Sequence, residues 1–137
     1  MPTAPDAPRA KLVVVIDDDL LALEAMSGLL RSWGYRVVTA ASDDVALAHL
    51  AEHPERPDLI ICDYRLAEGK IGTHAIQRLR DAFEIPALLI TGEAAPAHPQ
   101  EGRAGRYDVL HKPLDPTALQ ALLNRVFKRE DGSREGV

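Results

Sequence analysis

Short apolar runs alternate with longer amphipathic stretches along nearly the whole chain. Residues 12–16, 37–39, 59–62, 87–90 and 109–110 are dominated by aliphatic side chains and lack the polar alternation of a half-exposed strand. They read as strands buried on both faces of a parallel sheet. Between them the apolar positions recur at helical spacing. Leu23, Met26, Leu30 and Trp33 step by three and four, behind Asp19 as N-cap and ahead of Gly34 as terminator. A second helix is predicted over 43–53 with Ser42 as N-cap, ending before Pro54. A third, over 73–83, presents Ile76 and Leu79. The last helix is capped by Asp115, has Pro116 at its first position, and carries Leu119, Leu122, Leu123 and Val126 on its buried face. The weak member is a fourth helix in 93–106, a segment with two prolines, two glycines and almost no large apolar residue, expected to be short and mobile.

Five strands and five helices in strict alternation make an α/β protein with a doubly wound, five-stranded parallel sheet built from right-handed crossovers. The chain is 137 residues long, the size of one domain. Residues 11–129 are assigned to it; 1–10, with three prolines, read as a disordered segment, and 130–137, charged and glycine-containing, as a flexible tail. A chain of this mass buries about two thirds of its surface, enough for a core without a metal or disulfide staple.

Charge narrows the function classes. Sixteen Lys and Arg against 21 Asp and Glu leave a net charge of −5, which gives no general attraction to nucleic acid or to an anionic membrane. The single cysteine, Cys62, excludes an intramolecular disulfide, the N-terminus has no signal-peptide core, and no apolar run is long enough to span a bilayer. The expectation is a cytoplasmic protein, or the soluble part of a larger one.

In a doubly wound sheet the chemistry gathers beyond the carboxyl ends of the strands. There the sequence places Asp17, Asp18 and Asp19 after the first strand, Asp63 at the end of the third, Thr91 at the fourth and Lys112 at the fifth. Two carboxylates about 5 Å apart repel by roughly 3 kcal/mol at an effective dielectric near 20, so the cluster needs cations. Lys112 supplies one. Mg²⁺ suits the remainder, since it is held by one or two carboxylates, keeps waters, and takes phosphoryl oxygens as further ligands. A carboxylate can attack phosphorus to give an acyl phosphate. Asp63 as nucleophile, Mg²⁺ on Asp18 and Asp63, Lys112 as fixed cation and Thr91 as hydroxyl donor fill the roles of phosphoryl transfer.

The segments VVVIDDD, DLIICDYRL, LLITGE and VLHKP, in this order and spacing, resemble the receiver domain of bacterial two-component response regulators and hybrid histidine kinases, over about residues 11–129. The resemblance implies a (βα)5 flavodoxin-like fold in which Asp63 is phosphorylated by a phosphohistidine of a histidine kinase or histidine phosphotransfer protein. It implies Asp18 as a direct Mg²⁺ ligand, Asp17 acting through water, the Arg65 backbone carbonyl as a further ligand, Thr91 as the switch hydroxyl, and a cis peptide between Lys112 and its proline. Arg65 and Glu93 fall where such domains border the path of hydrolytic water, and so tune phosphoryl lifetime. The output face is that of the fourth helix, fifth strand and last helix, read by a downstream protein or an attached domain, with a homodimer through the last helix as one form. DYRL and HKP are most similar to receivers appended to hybrid sensor kinases.

This chain also departs from the family. The aromatic switch position three residues before the lysine is Val109, and Tyr107, two positions upstream, is read as standing on the other side of the strand. Leu66-Ala67 replaces the usual Met-Pro, and Gly72 comes one residue late.

Simpler readings stand beside these. Asp19 serves as a cap rather than a ligand, and Cys62, opposite Asp63 by alternation, as a small buried hydrophobe. Trp33 anchors packing. His49, His53, His74, His98 and His111 show no pairing that marks a metal site, and His49 and His53, although four apart, are assigned to the surface. A receiver catalyses its own phosphorylation and dephosphorylation without turning over a metabolite. The rival readings are a small haloacid-dehalogenase-like phosphatase using Asp17, disfavoured by Leu21 and by the absence of an acidic pair after Lys112, and a phosphorylation-independent interaction module.

Overall fold

The structure, a computed structural model, describes residues 10–92 and 107–135. Its elements run β1 (Leu12–Ile16), α1 (Leu20–Ser32), β2 (Arg36–Ala40), α2 (Asp43–Glu52), β3 (Leu59–Asp63), α3 (Gly72–Ala82), β4 (Ala87–Thr91), β5 (Asp108–His111) and α4 (Pro116–Glu135). The five strands form one sheet of order β2-β1-β3-β4-β5, every neighbouring pair parallel. From β1 the chain winds outward to β2, then crosses back to β3 and on to β5. The winding therefore reverses between β1 and β3, where a doubly wound sheet opens its crevice.

Strand alternation divides the core into two layers. Val13, Val15, Leu59, Ile61, Leu88 and Ile90 meet Leu23 and Leu30 of α1 and Leu119, Leu122, Leu123 and Val126 of α4. Their neighbours Val14, Ile16, Ile60, Cys62 and Leu89 meet Ala46 and Leu50 of α2 and Ala75, Ile76 and Leu79 of α3. Helices on both faces explain the unbroken apolar runs of β1, β3 and β4, all of whose residues are buried. The outer strands differ from expectation: β2 is only partly buried and β5 half-buried. Among the described residues they lie at the sheet edges, with a neighbouring strand on one side only.

The expected caps are in place. Asp19 Oδ1 accepts from the N–H groups of Leu21 and Ala22 at 3.0 and 3.4 Å, Ser42 Oγ from Val45 at 3.2 Å, and Asp115 Oδ1 from Thr117 at 3.0 Å. The last helix runs on to Glu135 instead of giving way to a tail at 130. Lys128, Arg129 and Glu130 are good helix formers, and Gly132 alone costs only about 1 kcal/mol relative to Ala. The expected fourth helix falls in 93–106 and lies outside the described residues, as do the segment 1–9 and Glu93.

Candidate functional site

The carboxyl ends of β1 and β3 deliver the acidic residues because of their pairing. Ile16 stands opposite Cys62 in the register, so the residues that follow, Asp17 and Asp63, emerge side by side above the sheet. By alternation both continue the row of side chains that faces α1 and α4. One oxygen from each of Asp17, Asp18 and Asp63 can be chosen so that all lie within 4.8 Å of one another. Asp63 is buried, Asp17 partly so, and Asp18 exposed. Lys112 reaches in from the end of β5, its Nζ 2.8 Å from Asp63 Oδ1. The Lys112–Pro113 peptide is cis, the form that the family resemblance implied.

The electrostatics follow from this crowding. Burial, with the nearby Asp63 charge, holds the Asp17 carboxyl above the ordinary carboxylate range, against the opposing effect of the Asp19 N–H that it accepts at 3.0 Å. Hydrogen bonding to Asp63 raises Lys112 above the usual lysine value. Among the described residues Lys112 is thus the ammonium paired within this cluster of three carboxylates, and the donor set, all hard oxygen, fits a Mg²⁺-sized cation better than a soft metal.

Thr91 ends β4, one residue beyond Ile90, the register partner of Asp63. Its side chain is buried and its carbonyl accepts from Lys112 N–H at 2.9 Å, so β4 and β5 are tied together at the site. Alternation puts Thr91 on the α2 and α3 side of the sheet, away from the face of Asp17 and Lys112. On that side Val109 and Tyr107 both pack against the same cluster. The reading of Tyr107 as opposite to Val109 is corrected: residues two apart in a strand share a face.

The loop after Asp63 folds back on itself. Arg65 bridges Ile71 in antiparallel fashion, Leu66 N–H donates to the Lys70 carbonyl at 3.0 Å, and the turn passes through Glu68 (φ 60°) and Gly69 (φ 73°). Arg65 is exposed at the root of this loop. Gly72 then opens α3 with its N–H on the Tyr64 carbonyl at 2.6 Å, so close to β3 that a Cβ there would lie 2.2 Å from the Asp63 carbonyl oxygen. Sequence reasoning noted only the displaced position of this glycine. Its role is steric, and the signal available was a glycine at the start of a helix next to the candidate acceptor.

Asp43 was also missed as a buried carboxylate at the first turn of α2. Arg78 of α3 meets it at 3.0 Å and Asp44 at 2.6 Å, locking α2 to α3. Cys62 is fully buried as expected, and burial with the neighbouring carboxylates pushes its thiol far up. A cavity of about 410 Å³ opens beside Asp63 and Lys112, between Ala22, Ala25 and Met26 of α1 and Leu114.

A doubly wound sheet with an acidic crevice and a lysine at its rim defines an α/β protein with a cation-seeking site at its strand ends, and the comparisons with known proteins narrow the class. The response regulator receiver domain family matches residues 13–124, and the chain belongs to that family. It is 37% identical over 131 residues to the transcriptional regulatory protein ZraR of Salmonella typhimurium, covering 91% of this chain and 29% of that protein. It is 34% identical over 125 residues to the transcriptional regulatory protein AfsQ1 of Streptomyces coelicolor, covering 90% and 53%. The chain thus spans from under a third to about half of these relatives. Among solved structures, the chemotaxis protein CheY4 of Vibrio cholerae superposes with a TM-score of 0.76 at 32% identity, over 85% of this chain and 98% of that one. The signal receiver domain of an HD domain-containing protein from Pseudomonas fluorescens Pf-5 shares the fold, with a TM-score of 0.80 at 21% identity over 99% and 100%. Receiver domains work with histidine kinases or phosphotransfer proteins and with downstream effectors. Among the described residues no helix is long and apolar enough to cross a membrane.

Proposed function

We propose that this receiver is a phosphorylation switch in which Asp63 takes a phosphoryl group from a phosphohistidine. The observation that carries the reading is the ion pair of Lys112 with Asp63 at 2.8 Å inside the cluster formed with Asp17 and Asp18. An Asp63 oxygen attacks phosphorus, the P–N bond breaks with its electron pair returning to the imidazole, and an aspartyl phosphate results. Lys112 moves from the Asp63 carboxylate to a phosphoryl oxygen, and the Thr91 hydroxyl donates to another. Asp17, Asp18, Asp63 and the Arg65 carbonyl would hold Mg²⁺, which supplies positive charge against the phosphoryl oxygens when bound. Hydrolysis reverses the state: water attacks phosphorus, inorganic phosphate leaves and the Asp63 carboxylate is restored. Arg65 and Glu93 govern the approach of that water.

The added charge of about −1.5 to −2 draws Thr91 toward the phosphoryl group. Because Thr91 is tied to Lys112 through the backbone, the signal passes to β5 and on to the face that β5 and α4 present to a downstream protein or attached domain, or to a second copy through α4. The setting is the cytoplasm, as the receiver of a response regulator or of a hybrid histidine kinase. With the small side chain of Val109 at the aromatic position, coupling runs through the backbone more than through a ring rotation.

The test is intact mass after incubation with a small-molecule phosphodonor and Mg²⁺. A single phosphoryl adduct, lost in Asp63→Asn and without Mg²⁺, supports the proposal. Steady phosphate release that depends on Asp17 would replace it with a phosphatase, and neither activity would leave an interaction module.

A further inference from the structure

The last turn of α2 carries His49-Leu50-Ala51-Glu52 and is followed by His53, with Leu50 buried in the core and both histidines exposed to solvent. His53 is the C-cap of the helix, and its N–H donates to the His49 carbonyl at 3.0 Å, so the backbones of the two residues are fixed one turn apart. Their ring centroids stand 4.8 Å apart, with the planes inclined by 40°. The Glu52 carboxylate lies 4.0 Å from His53 Nε2.

We propose that His49 and His53, a pair that spacing alone did not mark as a metal site but whose rings approach to 4.8 Å, form a two-point surface chelate for a divalent transition-metal ion of the Zn²⁺ class. Neutral imidazole is a borderline ligand that prefers such ions to Mg²⁺, so this site and the oxygen-only cluster at Asp63 select different metals. The spacing fits. A metal about 2.0–2.1 Å from one nitrogen of each ring lies about 3.2 Å from each centroid. Two centroids 4.8 Å apart then subtend roughly 100° at the metal, between a cis-octahedral and a tetrahedral angle. Histidines at i and i+4 on a helix are a known geometry for joint ligation. Glu52 adds a negative charge and an acceptor beside the His53 ring, and water completes the coordination. With two protein ligands on an open surface the site holds an exchangeable ion.

The experiment titrates the whole chain with ZnCl₂ in saturating Mg²⁺, following histidine ring correlations by NMR. The result expected is that the His49 and His53 rings shift together along one binding curve. His49→Asn and His53→Asn each weaken it at least tenfold, because a single imidazole has no neighbour to recapture the ion. His74→Asn, an exposed histidine on α3, leaves it unchanged. Movement of one ring alone, an affinity indifferent to either substitution, or equal weakening by His74→Asn overturns the proposal. Far-ultraviolet circular dichroism of each variant confirms that α2 is intact.

Discussion

Replacing Gly72 by alanine places one methyl group where the loop after Asp63 meets α3. The new Cβ would lie 2.2 Å from the Asp63 carbonyl oxygen, 3.0 Å from its carbonyl carbon and 3.1 Å from Leu89 Cδ1. An ordinary carbon–oxygen approach is about 3.3 Å, so the backbone has to open by about 1 Å. The obstacle is main chain, held by the 2.6 Å bond from Gly72 N–H to the Tyr64 carbonyl, and cannot rotate away. Overpacking of this kind costs about 1–3 kcal/mol, while alanine returns about 0.4–1 kcal/mol through the unfolded chain. The clash wins, and the net loss is about 1–2 kcal/mol. With a urea m value of about 1–3 kcal/mol/M the midpoint falls by about 0.3–2 M. The site should suffer more than the fold, since a reacting group displaced by about 1 Å can lose about a hundredfold in rate. Phosphorylation of Gly72→Ala by a small donor, followed by intact mass, is expected to slow to that degree while the protein remains folded. Gly28→Ala is the control: nothing lies within 4 Å of its Cβ in mid-helix α1, and it should stabilise by up to about 1 kcal/mol. A Gly72→Ala protein with an unchanged midpoint and unchanged rate would refute the steric argument.

Lys112→Met removes the cation beside Asp63 and should lower the phosphorylation rate roughly a hundredfold, measured by the same mass assay. Because Lys112 is raised above its ordinary 10.5 in the fold, its contribution to stability is full below that value and is lost as pH rises through the higher folded one; urea midpoints of wild type and Lys112→Met should converge there. Asp17 is also raised, above 3.8, so its protonated form favours the fold at low pH and its charge opposes it at neutral pH. Asp17→Asn is therefore expected to stabilise the metal-free protein modestly at pH 7, by removing a partly buried charge that also repels Asp63, an advantage that vanishes as pH falls toward 3.8. Asp19→Ala should cost about 1 kcal/mol through the lost cap of α1 while leaving phosphorylation nearly intact.

The sheet was legible because β1 is apolar throughout and β3 and β4 are apolar up to their last residue, and only burial on both faces explains such runs. The site was legible because the topology turns strand ends that are distant in sequence into neighbours: Asp17, Asp63 and Lys112 follow from strand order once parallel pairing is granted. What escaped was tertiary. The partial exposure of β2 and β5 depends on their place at the sheet edges, which composition does not reveal. The helical course to Glu135 runs through a charged, glycine-containing stretch that is as easily read as a tail. Tyr107 was assigned to the wrong face although alternation sufficed to place it. The steric demand at Gly72 and the Asp43–Arg78 clasp arise between segments brought together only by folding, and a glycine at a helix start hints at the first without showing what it meets.

The acceptor itself can be mapped by reducing the phosphorylated protein with borohydride, which converts an aspartyl phosphate to homoserine, and sequencing the peptides by mass spectrometry. Conversion at Asp63, dependent on Mg²⁺ and on Lys112, is the result expected from the cluster at the ends of β1, β3 and β5. Conversion at Asp17, or at no carboxylate despite a phosphoryl adduct, would contradict the assignment of Asp63 as the residue that receives the signal.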